Sequence, residues 1–418
     1  MVAGRFDAVN KSFRRKYTMV SKGNTLKIVG VLTILAIVLL SRPSFKYYVS
    51  ISVNKEHLLP TPKEVYHASA TKQFKAKRLP TSPIPPVKKK VKLVPKYSST
   101  IKPKTISKQN QNTTNLKYLV YLCDKNRRCG GWGDRQRGIV TAYVWACILN
   151  RTFKVVMTSA CDLTQFYQPN KINWILDENE IRNKTSKVLD VVNRVDVLID
   201  KDFKPHQHID VLYVKTNSPM FTYYLNHNRN AMPDYLKGFG SWRDKVKIFK
   251  AVWSRLMIPT DRITNQLLNA TKPMFIDGYR ANLVTAHVRI GRSKYLPYER
   301  VALSLNSTDI VMNFLDKYKY SRIYVATDHA DVRKAAIAKL GKRYIGSYAP
   351  FLNPDNTARG TKLACWAFQM TIVDQLMMLN ADVLVISPSG LSAFAAYLKL
   401  NRGELFLFNG TVVSPYKP

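Results

Sequence analysis

The residues most suited to chemistry stand at the end of one apolar run, Asn282-Leu-Val-Thr-Ala-His-Val-Arg-Ile-Gly-Arg292. Leu283 to Val288 reads as a buried strand, and His287 and Arg289, two residues apart, share one of its faces. A guanidinium is a planar fork that matches phosphate oxygens two at a time. Gly291 lets backbone come close to a ligand, and Arg292 adds a second cation. This pattern points to a phosphorylated ligand held at a strand end. Lys294 extends the cationic set, and Glu299, one of only two glutamates beyond residue 180, is a candidate general base.

Four other segments carry candidate chemistry. Cys129-Gly-Gly-Trp-Gly-Asp-Arg-Gln-Arg-Gly138 lies between a strand and a helix, where Gly131 and Gly133 would admit a ligand and Arg135 and Arg137 would line it. Asp134 is read as the cap of the following helix, at Ile139–Leu149, and as a second candidate base. Tyr324-Val-Ala-Thr-Asp-His329 ends a strand with Asp328, placed either to bind a sugar hydroxyl or to cap a helix. Ser387 and Ser389, in Asp382-Val-Leu-Val-Ile-Ser-Pro-Ser-Gly-Leu-Ser392, could hold a phosphate with nearby amides. Asp200-Lys-Asp202 is a rival signal, since paired carboxylates can hold a divalent ion against a diphosphate.

These residues need a scaffold, and the alternation of segments supplies one. Strands are expected at 116–122, 153–157, 196–199, 211–214, 283–288, 322–326 and 383–386, with helices at 242–256, 301–318, 330–340, 363–379 and 392–400. Strand–helix alternation means an α/β body with parallel sheets, and about 300 residues suggest two doubly wound halves. The halves are placed at 117–265 and 266–418.

The first part of the 418-residue chain differs in kind. Residues 1–116 hold 23 Lys+Arg against 3 Asp+Glu, about half of the net charge of +39. Zinc-finger, basic-zipper and RNA-binding signatures are missing, so nucleic acid is not the expected partner. Residues 1–27 read as a cytosolic tail. Ile28–Ser41 reads as a short transmembrane signal-anchor flanked by Lys27 and Arg42, and 42–116 as a Lys/Pro-rich stem. The excess of basic residues before the anchor places the body in the lumen. There Asn-x-Thr sequons stand at Asn112, Asn150, Asn183, Asn269, Asn306 and Asn409, with Asn150 near a helix end where access is doubtful. All five cysteines also lie there; disulfides are expected, with Cys123–Cys129 the preferred pair.

Together the glycine-containing first turn, the His-x-Arg strand end, the Ala-Thr-Asp strand end and the late strand with its Ser-rich turn resemble, in order, the superfamily of GDP-fucose-dependent α1,2-, α1,6- and protein O-fucosyltransferases. Ile290, Arg292 and His329 depart from that pattern. The resemblance implies two facing Rossmann-like domains of the GT-B glycosyltransferase type, with 117–265 the acceptor side and 266–418 the nucleotide-sugar side, and a single-pass type II Golgi enzyme. It implies inverting, metal-free transfer of fucose from GDP-fucose to a glycan or glycoprotein acceptor, with no further cofactor. Arg289 would neutralise the leaving diphosphate. Competing readings are a metal-dependent glycosyltransferase built on Asp200 and Asp202, or a catalytically inactive luminal glycan-binding protein.

Overall fold

A computed structural model describes residues 116–418, apart from 127–128, 195, 218, 220, 222–228, 240–243, 277–278, 293–298, 347–360 and 400–402. The expected tail, anchor and stem up to residue 115 lie outside the described residues, as does Lys294. Among the described residues no helix is long and apolar enough to cross a membrane.

The α/β expectation holds. The first sheet is built from β1 (Tyr118–Cys123), β2 (Thr152–Met157), β3 (Ser186–Asp190) and β4 (Val211–Lys215), in the order β2-β1-β4-β3, and every pairing is parallel. The second holds β5 (Leu283–Val288), β6 (Arg322–Thr327), β7 (Val383–Ile386), β8 (Glu404–Phe408) and β9 (Val413–Pro415). Its order is β6-β5-β7-β8-β9, and only the β8–β9 pair is antiparallel. β5 is buried at all six positions and β7 at all four. A parallel strand covered by helices on both faces reads as an unbroken apolar run, which is why these two segments are plain in the sequence.

Seven helices of nine residues or more are described: α1 (Trp132–Ile148), α2 (Lys245–Leu256), α3 (Asp261–Thr271), α4 (Thr308–Asp316), α5 (Ala330–Leu340), α6 (Lys362–Leu379) and α7 (Gly390–Leu398). α6 is the longest. Its Phe368 packs edge-on against Trp132 of α1 and Phe166 beyond β2, while Ile372 and Met377 join a buried cluster with Leu384 and Ile386 of β7. One helix therefore packs against elements of both sheets. A disulfide adds a covalent tie, because Cys365 in the first turn of α6 is bridged to Cys161 in the loop after β2. The preferred pair Cys123–Cys129 is also bridged. Cys147 stays a thiol, pushed up to about 11 by burial.

Three expectations are corrected. The strand expected at 196–199 is not formed. Ile199–Phe203 is a single π-turn, held by the Asp202 carboxylate accepting from the Leu198 amide at 2.7 Å. The place beside β4 is taken by β3, whose Ser-Lys-Val-Leu-Asp is mostly exposed and gives little apolar signal. α1 begins at Trp132 instead of near 139, so the Gly-rich stretch is largely the helix's first turn. The helix expected at 301–318 shortens to 308–316, preceded by a 3-10 turn at Leu305–Ser307.

Candidate functional site

The carboxyl ends of β5, β6 and β7 meet around one guanidinium. Beyond Val288 the chain turns through Arg289, Ile290 and Gly291. Gly291 has φ +90°, and a Cβ there would fall 2.0 Å from the Arg300 carbonyl oxygen, so only glycine fits. Asp328, at the end of β6, reaches back to this turn. Its two oxygens accept the Ile290 and Gly291 amides, both at 2.8 Å, and its Oδ2 lies 2.9 Å from Arg289 Nη1. The expectation that Asp328 caps a helix gives way to this role. It is buried and shapes the His-x-Arg turn, while His329 caps α5 by accepting from the Asp331 amide at 3.2 Å.

Glu299 approaches Arg289 from the other side, with Oε2 at 2.9 Å from Nη2. The guanidinium is thus shared between two carboxylates, one committed to two amides and one on a loop. Arg289 and Glu299 side chains keep 25% and 19% exposure, enough for a ligand to reach the pair.

Ser387, at the end of β7, joins this cluster from beneath. Its hydroxyl oxygen accepts the Arg289 amide at 3.2 Å and lies 3.2 Å from His287 Nδ1. Burial, followed by the Arg289 charge, pushes His287 down to about 3. The imidazole is therefore neutral at physiological pH. His287 stands against the Ser387 hydroxyl through Nδ1 as a neutral imidazole, not an acid.

The Gly-rich turn arrives at the same place. The first turn of α1 meets the first turn of α7 backbone to backbone, and a Cβ on Gly133 would lie 2.5 Å from the Gly390 carbonyl carbon. Below this contact Gln375 of α6 accepts from Trp132 Nε1 at 2.8 Å and from Gln136 at 3.1 Å, and donates to the Gln136 and Leu391 oxygens. This buried amide knot was not anticipated; two glutamines 239 residues apart give no local signal.

Within the Gly-rich turn the residues part ways. Arg135 is fully buried and does not line a cleft. Its Nε donates to the Gly130 carbonyl at 2.9 Å, its Nη1 donates to the Ser159 carbonyl, and its guanidinium lies 5.6 Å from the Phe368 ring. Asp134 is not the helix cap. Gly131 holds that position, and Asp134, three residues on, accepts the Gly131 amide at 3.0 Å and pairs with Arg137. Asp134 and Arg137 are half-buried. Ser389 precedes α7 as its cap residue without a side-chain cap bond, and Arg292 is exposed. At the matching edge of the first sheet Asp124 pairs with Lys215 at 2.8 Å.

The rival carboxylates do not converge. Asp202 is committed to Arg194 at 2.7 Å and to the Leu198 amide, and Asp200 is exposed with Lys204 at 3.9 Å. Among the described residues no group of three or more His, Cys, Asp or Glu is arranged to hold a metal ion.

No protein-family model matches the chain, and no curated protein matches it in sequence. Among solved structures it is similar to Arabidopsis thaliana FUT1, a mutant in complex with GDP, at 12% identity and a TM-score of 0.45 over 70% of each chain. It is also similar to the NodZ α-1,6-fucosyltransferase, found in Bradyrhizobium and soaked with GDP-fucose, at 12% identity and a TM-score of 0.46 over 72% of this chain and 99% of that one. POFUT1 in complex with GDP-fucose follows at 12% identity and a TM-score of 0.41, covering 71% and 98% of the two chains.

Proposed function

We propose that this chain is a glycosyltransferase that moves L-fucose from GDP-fucose to a glycan or glycoprotein acceptor, with inversion and without a metal, as a single-pass type II protein of the Golgi membrane. The observation that carries the reading is Arg289, a guanidinium fixed at the carboxyl edge of a parallel sheet, where ligands of such sheets bind. Asp328 holds its turn, Ser387 holds its amide, and Glu299 occupies the arm that a diphosphate would take. The order of the four sequence segments supports the choice of donor.

A donor diphosphate competes with Glu299 for Arg289. Arg289 then faces the oxygen on which charge develops as the bond from fucose C1 to the diphosphate breaks. Glu299 then turns from Arg289 towards the acceptor. It takes the proton of the acceptor hydroxyl as that oxygen bonds to C1 from the opposite face. His287 stands beside it as a neutral imidazole. The acceptor enters from the side of the Gly-rich turn, where Asp134 and Arg137 are half-buried.

The test is direct. The full chain in detergent should bind GDP and GDP-fucose by calorimetry, and its turnover should be unchanged by EDTA. Arg289→Ala should lower turnover by roughly 10²-fold or more. A wild-type chain that binds neither nucleotide would sink the reading. Turnover abolished by EDTA would move it to the metal-dependent alternative. Binding of glycans without any donor hydrolysis would move it to the inactive, glycan-binding alternative, which the departures at Ile290, Arg292 and His329 favour.

A further inference from the structure

Two sets of asparagine amides in this chain can be compared. Asn126, Asn170, Asn217 and Asn380 donate through Nδ2 to Asp124, to the Ser254 carbonyl, to Asn193 and to the Leu376 carbonyl, at 2.6–3.3 Å. None of these four stands in an Asn-x-Ser/Thr triplet. The five described asparagines that do stand in one, Asn150, Asn183, Asn269, Asn306 and Asn409, are all exposed. Asn409 shows how the amide is presented. Its oxygen accepts from the Thr411 amide, the Thr411 hydroxyl and the Val412 amide at 2.9–3.0 Å, which turns the nitrogen outward.

A bland account covers part of this. Asn150 and Asn183 have φ of +48° and +63°, a conformation asparagine tolerates. Asn193, at +65°, shares it, yet no Thr follows two residues on, and its oxygen is engaged by Asn217. Backbone conformation thus accounts for an asparagine at such a position but not for the threonine beyond it.

We infer that Asn150, Asn183, Asn269, Asn306 and Asn409 are N-glycosylation sites of the folded protein. In the reaction the amide nitrogen bonds to the anomeric carbon of an oligosaccharide carried on a lipid diphosphate. The bond from that carbon to the diphosphate breaks, the diphosphate leaves with the electron pair, and the nitrogen gives up one proton. The sites fit a folded enzyme. Asn150 lies two residues before β2 and Asn183 three before β3, so both lie at the edge of the first sheet opposite the Gly-rich turn. Asn269 lies in the last turn of α3. Asn306 and Asn409 are neighbours, since a Cβ on Gly410 would lie 3.3 Å from Leu303 and 3.9 Å from Ser307. Two glycans there compete for space.

The experiment uses the full chain made in animal cells, with peptide-N-glycosidase as the probe. Treatment should increase gel mobility, and peptide mass spectrometry should find these five asparagines converted to aspartate. Asn150→Gln, Asn183→Gln and Asn269→Gln should each remove one glycan step. Asn306→Gln should raise occupancy at Asn409. No conversion at any of the five, or conversion at Asn126, Asn170, Asn217 or Asn380, overturns the inference. Mass spectrometry of the wild-type chain settles the matter even if a variant fails to fold. GDP binding by the treated protein is a separate readout. Glycans present with no GDP binding would remove the proposed function and leave this inference standing.

Discussion

The turn after β5 and the first turn of α1 are made from the same residue types, glycine, arginine and aspartate, yet they do opposite things with them. After β5 the arginine is partly exposed and each neighbour is aimed at it: Asp328, Glu299 and Ser387 fix its guanidinium and amide. In α1 the arginine that sequence places in a cleft is sealed in the core. Arg135 binds two carbonyls and a ring face, and the glycine beside it exists to let two helices touch. A guanidinium held by carboxylates at a strand end can exchange a partner for an incoming anion. One sealed in the core has no path from solvent.

The widest separation between the two turns should come from their arginines. Arg135→Ala removes a buried side chain and leaves the Gly130 and Ser159 carbonyls short of a donor. A loss of about 3 kcal/mol of stability is expected from the cavity and the unpaired acceptors. Denaturant unfolding checks it, and any surviving activity should scale with the folded fraction. Arg289→Ala should show the reverse: turnover down by roughly 10²-fold or more, with the unfolding midpoint little changed. If Arg289→Ala unfolds the protein and Arg135→Ala merely slows it, the comparison is backwards.

Gly133→Ala lies between these extremes. Its Cβ would sit 2.5 Å from the Gly390 carbonyl carbon, so α1 and α7 must separate, at about 1–3 kcal/mol for overpacking. Because α7 begins three residues after Ser387, the shift reaches the Arg289 amide. Both stability and turnover should fall, and the donor KM should rise. A change in stability alone would make the helix contact mere packing.

What the sequence reveals follows the range of each interaction. β5 and β7 are legible because burial on both faces demands an uninterrupted apolar run. β3 is not, since its exposed Ser186-Lys-Val-Leu-Asp190 carries no such run. His287, Arg289 and Gly291 announce themselves through local spacing. The grip of Asp328 on amides 37 and 38 residues earlier does not, because a strand-end aspartate before a helix reads equally well as a cap. Arg135 misleads for the same reason. Nothing near it shows that Ser159 and Phe368 will close over its guanidinium.

The remaining expected effect concerns protons. His287 is held near 3 in the folded chain, against about 6.5 when unfolded. Its folded value is depressed, so between these limits the unfolded chain binds a proton that the folded chain refuses. Stability is therefore undiminished above about pH 6.5 and falls as pH drops, by about 1.4 kcal/mol per unit, until about pH 3. His287→Asn should flatten stability between pH 5 and pH 6.5 as measured by denaturant midpoints, while Arg135→Ala should lower the whole curve in parallel. Equal slopes in wild type and His287→Asn would mean that the imidazole is charged in the folded state, and the neutral imidazole beside Arg289 would have to be given up.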